Sequence, residues 1–165
     1  MRPRTSLFLT SLSLALLATC ACKRTATEPD SLPGGQTGTV TATIDGTPWA
    51  ATSLKASQNS GVVIIQALGV LSGGNAVISL VMPSSEGTYP LGLTPGVSGA
   101  QSATLSAGAG VLWSADSITG NGSLTLTSLS ATRATGTCFM SLAPNVLTGA
   151  SGTRVVASGV FDVNF

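Results

Sequence analysis

The sequence of 165 residues is poor in charge: Asp, Glu, Lys and Arg together make up 8% of it, the formal net charge is +1, and histidine is absent. A typical soluble domain has about 25% charged residues. The chain therefore has no basic patch for phosphate backbones, and we expect no nucleic acid partner. The missing histidine removes the commonest general base and metal ligand, so we expect no cofactor, metal site or catalytic residues.

The N-terminal segment has the three parts of a secretory signal. Arg2 and Arg4 come first, Leu7–Ala18 is an apolar run, and small residues follow it. The run is twelve residues long, whereas a helix needs about 20 residues to cross a bilayer. We therefore predict a signal peptide over residues 1–21 and not a membrane span.

The end of the apolar run resembles the lipobox of bacterial lipoproteins, in which a lipid is attached to the cysteine that becomes the mature N-terminus. Ala21 supplies the small residue that the motif requires before Cys22. Cys20 is the alternative, with a favourable Leu17 but a bulky Thr19 before it. The resemblance implies an exported protein held in the cell envelope by its N-terminal lipid, at the outer membrane or its periplasmic face. An ordinary cleaved signal with neither cysteine lipidated is the other interpretation.

Two segments follow the leader. Residues 22–36 are polar, contain two prolines and two glycines, and are predicted to form a flexible linker that starts at the lipidated cysteine. Residues 37–165 are numerous enough for one domain with a core of its own. If Cys22 is lipidated, only Cys138 remains in this domain, so no internal disulfide is expected there.

Alternating apolar and polar residues predict strands throughout the domain. The predicted strands are 39–44, 49–57, 62–68, 76–82, 87–91, 102–105, 111–115, 123–127, 135–143 and 155–165. Asp45–Pro48 is predicted as a turn, because Asp-Gly supplies positive φ angles and proline donates no ladder hydrogen bond. Residues 69–75, with two glycines, are predicted as a loop.

The fold class follows from these strands. No helix is predicted after residue 22, and short strands at this spacing indicate an antiparallel β-sandwich or barrel of about nine to ten strands. Residues 62–68 and 76–82 are apolar on both faces, so we expect a central antiparallel pair that is covered on both sides. That expectation slightly favours the sandwich.

Five short motifs resemble a group of small bacterial lipoproteins catalogued only as a domain of unknown function. The motifs are Ile44–Trp49 (Ile-Asp-Gly-Thr-Pro-Trp), Gly87–Tyr89, Gly122–Leu126, Gly136–Phe139 and Gly159–Val163. The resemblance spans about residues 38–165. It implies an exported all-β module and carries no catalytic residue with it. This chain departs from the pattern at Cys138, where the relatives usually have an aromatic residue.

Enzymatic chemistry has only weak candidates, so we expect a protein that is not an enzyme. Lys55 would share one strand face with Ser53 and Ser57, which is the single lead toward a Ser-Lys hydrolase. The four acids of the domain form no paired-carboxylate motif. Cys138 lies in an alternating strand and is interpreted as a small core residue.

The leading hypothesis is a membrane-tethered, non-enzymatic binding or structural module of the cell envelope, and a glycan or another envelope protein is the expected kind of partner if it binds one. The domain contains 35 serines and threonines and few charges, which suits an uncharged partner. Long loops commonly carry binding residues, so Glu86 and Tyr89 in the proline-rich stretch Pro83–Gly99 are the candidate ligand-binding residues. Trp49 is predicted to close one end of the core, with sugar stacking as its alternative role.

The alternative function is a barrel that carries a small apolar ligand. It predicts an internal cavity lined by Val63, Ile65, Ile78 and Leu80, where a sandwich predicts a filled core.

Overall fold

The computed structural model describes residues 36–165 except residues 73, 95–98 and 109. The predicted signal peptide of residues 1–21, both lipidation candidates (Cys22 and Cys20) and the linker up to residue 35 lie outside the described residues. In the part of the chain that the structure describes, no helix has the length and apolar character needed to cross a membrane.

The described residues form ten strands and one short 3-10 helix (Val146–Thr148). The strands are β1 (Gly38–Ile44), β2 (Thr47–Asn59), β3 (Val62–Leu71), β4 (Gly74–Pro83), β5 (Gly87–Leu91), β6 (Ser102–Ala107), β7 (Val111–Ala115), β8 (Asn121–Leu129), β9 (Arg133–Pro144) and β10 (Arg154–Asn164). The predicted all-β class is therefore confirmed.

The sheet closes on itself. The strand order is β10-β1-β2-β3-β4-β6-β7-β9, and β9 pairs again with β10, so eight antiparallel strands form a barrel. The edge of β9 that faces away from β10 is shared by two strands. β8 pairs along it up to Ser141, and β7 meets it only at Ala143 and Pro144. β5 then adds to β8 outside the closed barrel.

Side chains from every strand of the barrel fill its interior. Alternate residues of each strand point inward, as the period of two requires, and they form one continuous buried cluster. The largest fully buried side chains include Phe161, Ile44, Met82, Met140 and Leu142.

The expectation of a sheet covered on both faces is wrong. β3 and β4 pair antiparallel along their whole length, as predicted, but only one face of each strand is buried. Ile64 is 38% exposed, and Val77 and Val81 are half-buried on the outer surface. A barrel wall has no second layer outside it, so outward aliphatic side chains are shielded only by their neighbours on the sheet. The slight preference for a sandwich therefore gives way to the barrel.

Two predicted connections between strands are longer than the ones in the structure. The first turn is Asp45–Gly46 alone, and Pro48 lies inside β2, where it pairs with Thr43. β3 joins β2 only from Ala51 onward, so proline stands near the start of a strand that has one neighbour, a position where it is tolerated. Both β3, which ends at Leu71, and β4, which begins at Gly74, extend into the loop predicted over residues 69–75.

Two tryptophans belong to the core. Trp49 is 3% exposed and packs against Gly69, where an added Cβ would lie 2.7 Å from the indole Cε2 atom. Gly69 is thus required for the indole to fit. The buried ring leaves no exposed indole face for stacking a sugar. Trp113 is 4% exposed, and its Nε1 atom donates to the Gly152 carbonyl at 3.0 Å.

Candidate functional site

The two sequence-predicted ligand-binding residues hold the β4–β5 connection in place. Glu86 accepts a hydrogen bond from the Leu129 amide of β8 at 3.1 Å. The Tyr89 hydroxyl lies 2.8 Å from the Ser85 hydroxyl and also donates to the Ser85 carbonyl. Glu86 thus bonds to an adjacent strand and Tyr89 to a residue four positions earlier in the chain. These structural contacts account for both side chains. Their role in binding a ligand stays a prediction.

The carboxylates of the domain lie at four separate places. Asp45 accepts hydrogen bonds from the Arg154 guanidinium at 2.6 Å and from the Val155 amide at 2.8 Å. Arg154 also lies over the Trp113 ring, 4.8 Å from its centroid. Together these contacts join the β1–β2 turn to the start of β10.

Asp116 and Asp162 have equally local roles. Asp116 accepts from the amides of Ile118 and Thr119 at 2.7 and 2.8 Å, and these bonds hold the pKa of its carboxyl below the ordinary value. Asp162 on β10 pairs with Arg133 on β9, which lowers the pKa of Asp162 in the same way. Among the described residues, no three His, Cys, Asp or Glu side chains come together as metal ligands.

The three residues proposed for a Ser-Lys hydrolase share one strand face, as predicted. Ser53, Lys55 and Ser57 all alternate with the buried Leu54 and Ala56 of β2, so they lie on the outer face of the barrel. Lys55 is exposed there and pairs in register with Gln66 of β3. The hydrolase interpretation stays a prediction.

Cys138 is a core residue, as expected. Its side chain is 7% exposed, and burial raises the pKa of the thiol to about 12, which disfavours the nucleophilic thiolate. Gly159 of β10 lies directly opposite, and a Cβ there would overlap the Cys138 Sγ atom. The pair explains why β10 has a glycine at this position.

The carrier hypothesis expects a cavity lined by four residues, and the structure places these residues in the packed core. Val63, Ile65, Ile78 and Leu80 are each 2% exposed or less and belong to the single buried cluster. All four lie in the cluster of buried core residues, and the groove described next is not lined by any of them. The carrier function stays a prediction.

A groove of about 410 Å³ opens on the outer surface instead. Its lining residues are Thr41, Ala42, Thr43, Pro48, Trp49, Ala50 and Ser158. A β-bulge accompanies it: the register of β1 and β10 shifts between Thr41 and Thr43, and Ser158 has a φ angle of 51° in the left-handed region. Bulges bend a strand and re-aim its side chains.

The outer face next to the groove carries many hydroxyl groups. One cross-strand row runs from Thr88 through Thr125, Thr137 and Val160 to Thr41. The hydroxyl oxygens of Thr88 and Thr125 lie 3.1 Å apart. Sequence reasoning found the alternating threonines within each strand but missed the row, since the row depends on which strands are neighbours.

A family model described as "Domain of unknown function (DUF6252)" matches residues 36–162. No curated protein and no solved structure matches the sequence. The family match covers β1 to β9 and most of β10, and it agrees with the expected resemblance to a family of unknown function. The lipoprotein character of that resemblance stays a prediction. The chain belongs to the DUF6252 family.

Proposed function

We propose that the protein is an exported lipoprotein whose barrel is held at a membrane of the cell envelope by a lipid on Cys22. The barrel then acts as a non-enzymatic binding or structural module at the end of a flexible linker. The apolar leader and the small residue before Cys22 support the anchor. One acyl chain binds a membrane only marginally, whereas two or more make the attachment stable.

One observation carries the non-enzymatic part of the proposal: each carboxylate of the barrel is already engaged in a structural contact. Asp45 and Asp162 pair with the two arginines of the domain, Arg154 and Arg133. The other two carboxylates bond to backbone amides of a turn and of β8. General acid–base chemistry needs such groups free to exchange protons with a substrate.

Metabolic labelling with radioactive palmitate tests the anchor in bacteria that produce the full-length chain. We expect label on the wild type and on Cys138→Ser, the matched control within the core. Cys22→Ser should lose the label and should leave the membrane fraction. Retention of label by the Cys20→Ser/Cys22→Ser double variant would rule out lipidation at either cysteine. Loss of label in Cys20→Ser alone would contradict the assignment to Cys22.

A further inference from the structure

The groove beside the β10 bulge has the lining of a site for an uncharged, hydroxyl-bearing ligand. Thr41, Thr43 and Ser158 supply hydroxyl groups that both donate and accept hydrogen bonds. Pro48 and Ala50 of β2, which pair with Thr43 and Thr41, add apolar surface on the far side of the groove from Ser158. The volume of about 410 Å³ falls within the range of about 300–1,000 Å³ that is common for small-ligand sites.

An exposed aromatic ring lies on the same face. Phe139 of β9 stands across from the bulge that contains Ser158, because the register passes from Val156–Met140 directly to Gly159–Cys138. Phe139 is 51% exposed, and Val160 beside it on β10 is 49% exposed. Ser158, at the near edge of the groove, is therefore one strand spacing (about 5 Å) from the strand that carries the ring. Thr41 and Thr43 on β1 are two spacings, or about 10 Å, away.

Charge on this face argues against an ionic ligand. None of the groove-lining residues is ionisable. The charged side chains of the adjoining strands and turn form two ion pairs, Arg133 with Asp162 and Arg154 with Asp45. A specific protein partner would usually bury about 800 Å² around aromatic and arginine anchors. This face has a single exposed aromatic ring and no unpaired arginine among the described residues.

We propose that the groove and the Phe139 ring together bind a neutral glycan chain, an inference that rests on the proposed function as an envelope binding module. The C–H face of a sugar ring is apolar and packs on an aromatic ring, while its hydroxyl groups exchange hydrogen bonds with threonine and serine. A ligand that packs on the ring and also reaches Thr41 and Thr43 must span two strand spacings, so a chain of linked sugars fits this face better than a single sugar.

A pull-down on insoluble polysaccharides tests the inference with the purified, detergent-solubilised chain. Cellulose, chitin and curdlan are the neutral probes, and cross-linked polygalacturonate is the anionic probe. We expect retention on at least one neutral probe and none on polygalacturonate. Phe139→Ala should weaken that retention at least about fivefold, and Phe139→Tyr should preserve it.

Two further variants separate binding from folding. Thr41→Val keeps the shape of the side chain and removes one groove hydroxyl, so it should weaken retention about threefold or more. Leu147→Ala, at a residue 94% exposed on the 3-10 helix, is the matched control and should bind like the wild type. All four variants should melt within a few degrees of the wild type.

Three results would overturn the inference: no retention on any neutral probe, equal loss in Leu147→Ala and Phe139→Ala, or stronger binding to polygalacturonate than to the neutral probes. The palmitate experiment is independent of all three. Lipid labelling without glycan retention would reject the groove and leave the anchored module standing. Glycan retention without lipid labelling would reject the lipid anchor and leave the glycan-binding groove standing.

Discussion

The two core tryptophans differ in what their indole N–H groups meet. Trp113 donates to the Gly152 carbonyl, whereas among the described residues the buried Nε1 atom of Trp49 has no hydrogen-bond partner. A buried donor without a partner loses its hydration and gains nothing in return. The sequence predicts that Trp49 closes one end of the core, but it does not reveal which indole N–H group finds a hydrogen-bond acceptor.

Replacing each tryptophan by phenylalanine should expose this difference. Both changes remove similar volume, but only Trp113→Phe breaks a hydrogen bond and leaves a carbonyl without its donor. We expect Trp113→Phe to lower the free energy of unfolding by about 1 kcal/mol more than Trp49→Phe does. Urea denaturation followed by circular dichroism measures both. An equal or larger loss in Trp49→Phe would contradict the assignment of these contacts.

Asp45 should make stability depend on pH in the acid range. Burial raises the pKa of its carboxyl, but the Val155 amide and the Arg154 guanidinium outweigh burial and leave the pKa lowered. The folded state therefore binds this proton less readily than the unfolded state, whose carboxyl has a pKa of about 3.9. The stabilisation is complete above that value and is lost as the pH falls through the folded pKa.

Asp45→Asn should accordingly cost about 0.5–1 kcal/mol of unfolding free energy at pH 7, the modest size typical of a partly exposed pair. The difference from the wild type should shrink as the pH falls below about 4. Thermal melts of both proteins between pH 7 and pH 2.5 measure it. Parallel curves across the whole range would show that the carboxylate adds no pH-dependent stability.

At the scale of elements, β10 is the strand that closes the barrel. It pairs with β1 on one side and with β9 on the other, and its inward side chains Phe161 and Val163 are 1% and 0% exposed. The sequence predicts it as a core strand from the alternation of apolar residues. Its position between the first and the ninth strand follows only from the three-dimensional pairing.

Truncation of residues 161–165 should therefore prevent cooperative folding, because it removes part of two ladders and two core side chains. As a milder test, Phe161→Ala should cost about 3–5 kcal/mol. Phe139→Ala is its matched control on the outer face of β9 and should cost less than about 1 kcal/mol. A thermal melt unchanged by the truncation, or equal losses for the two phenylalanines, would contradict the placement of β10.

Local pattern predicted individual strands better than their arrangement. β5 and β7 have the predicted bounds, since glycine and aspartate mark their ends clearly. The doubly apolar pair β3 and β4 was expected to be covered on both sides because residue type does not show what packs outside a sheet. The candidate groove depends on the bulge at Ser158, and serine at a positive φ angle has no distinct sequence signal.

At the scale of the whole molecule, the barrel has one short seam. β7 and β9 pair only at Trp113–Pro144 and Ser114–Ala143, whereas β3 pairs over most of its length with β2 and β4. The segment after β9 reinforces the seam: the Asn145 amide donates to the Leu112 carbonyl, and the Leu112 amide donates to Thr148.

Native-state hydrogen exchange should locate this seam. We expect amides of β7 to exchange through local opening at a lower free energy than amides of β3, which should exchange only on global unfolding. Thr148→Val removes the acceptor for the Leu112 amide and should speed exchange in β7 without changing β3. Equal protection of the two strands would show that the barrel opens only as a whole.

For the whole molecule we propose an exported barrel that a lipid on Cys22 anchors to a membrane and whose outer face carries few charges. The most direct measurement is the intact mass of the protein extracted from the membranes of producing cells. We predict a chain that begins at Cys22 and carries covalently attached acyl chains. A chain that begins elsewhere without added mass, or one that retains residues 1–21, would contradict the account.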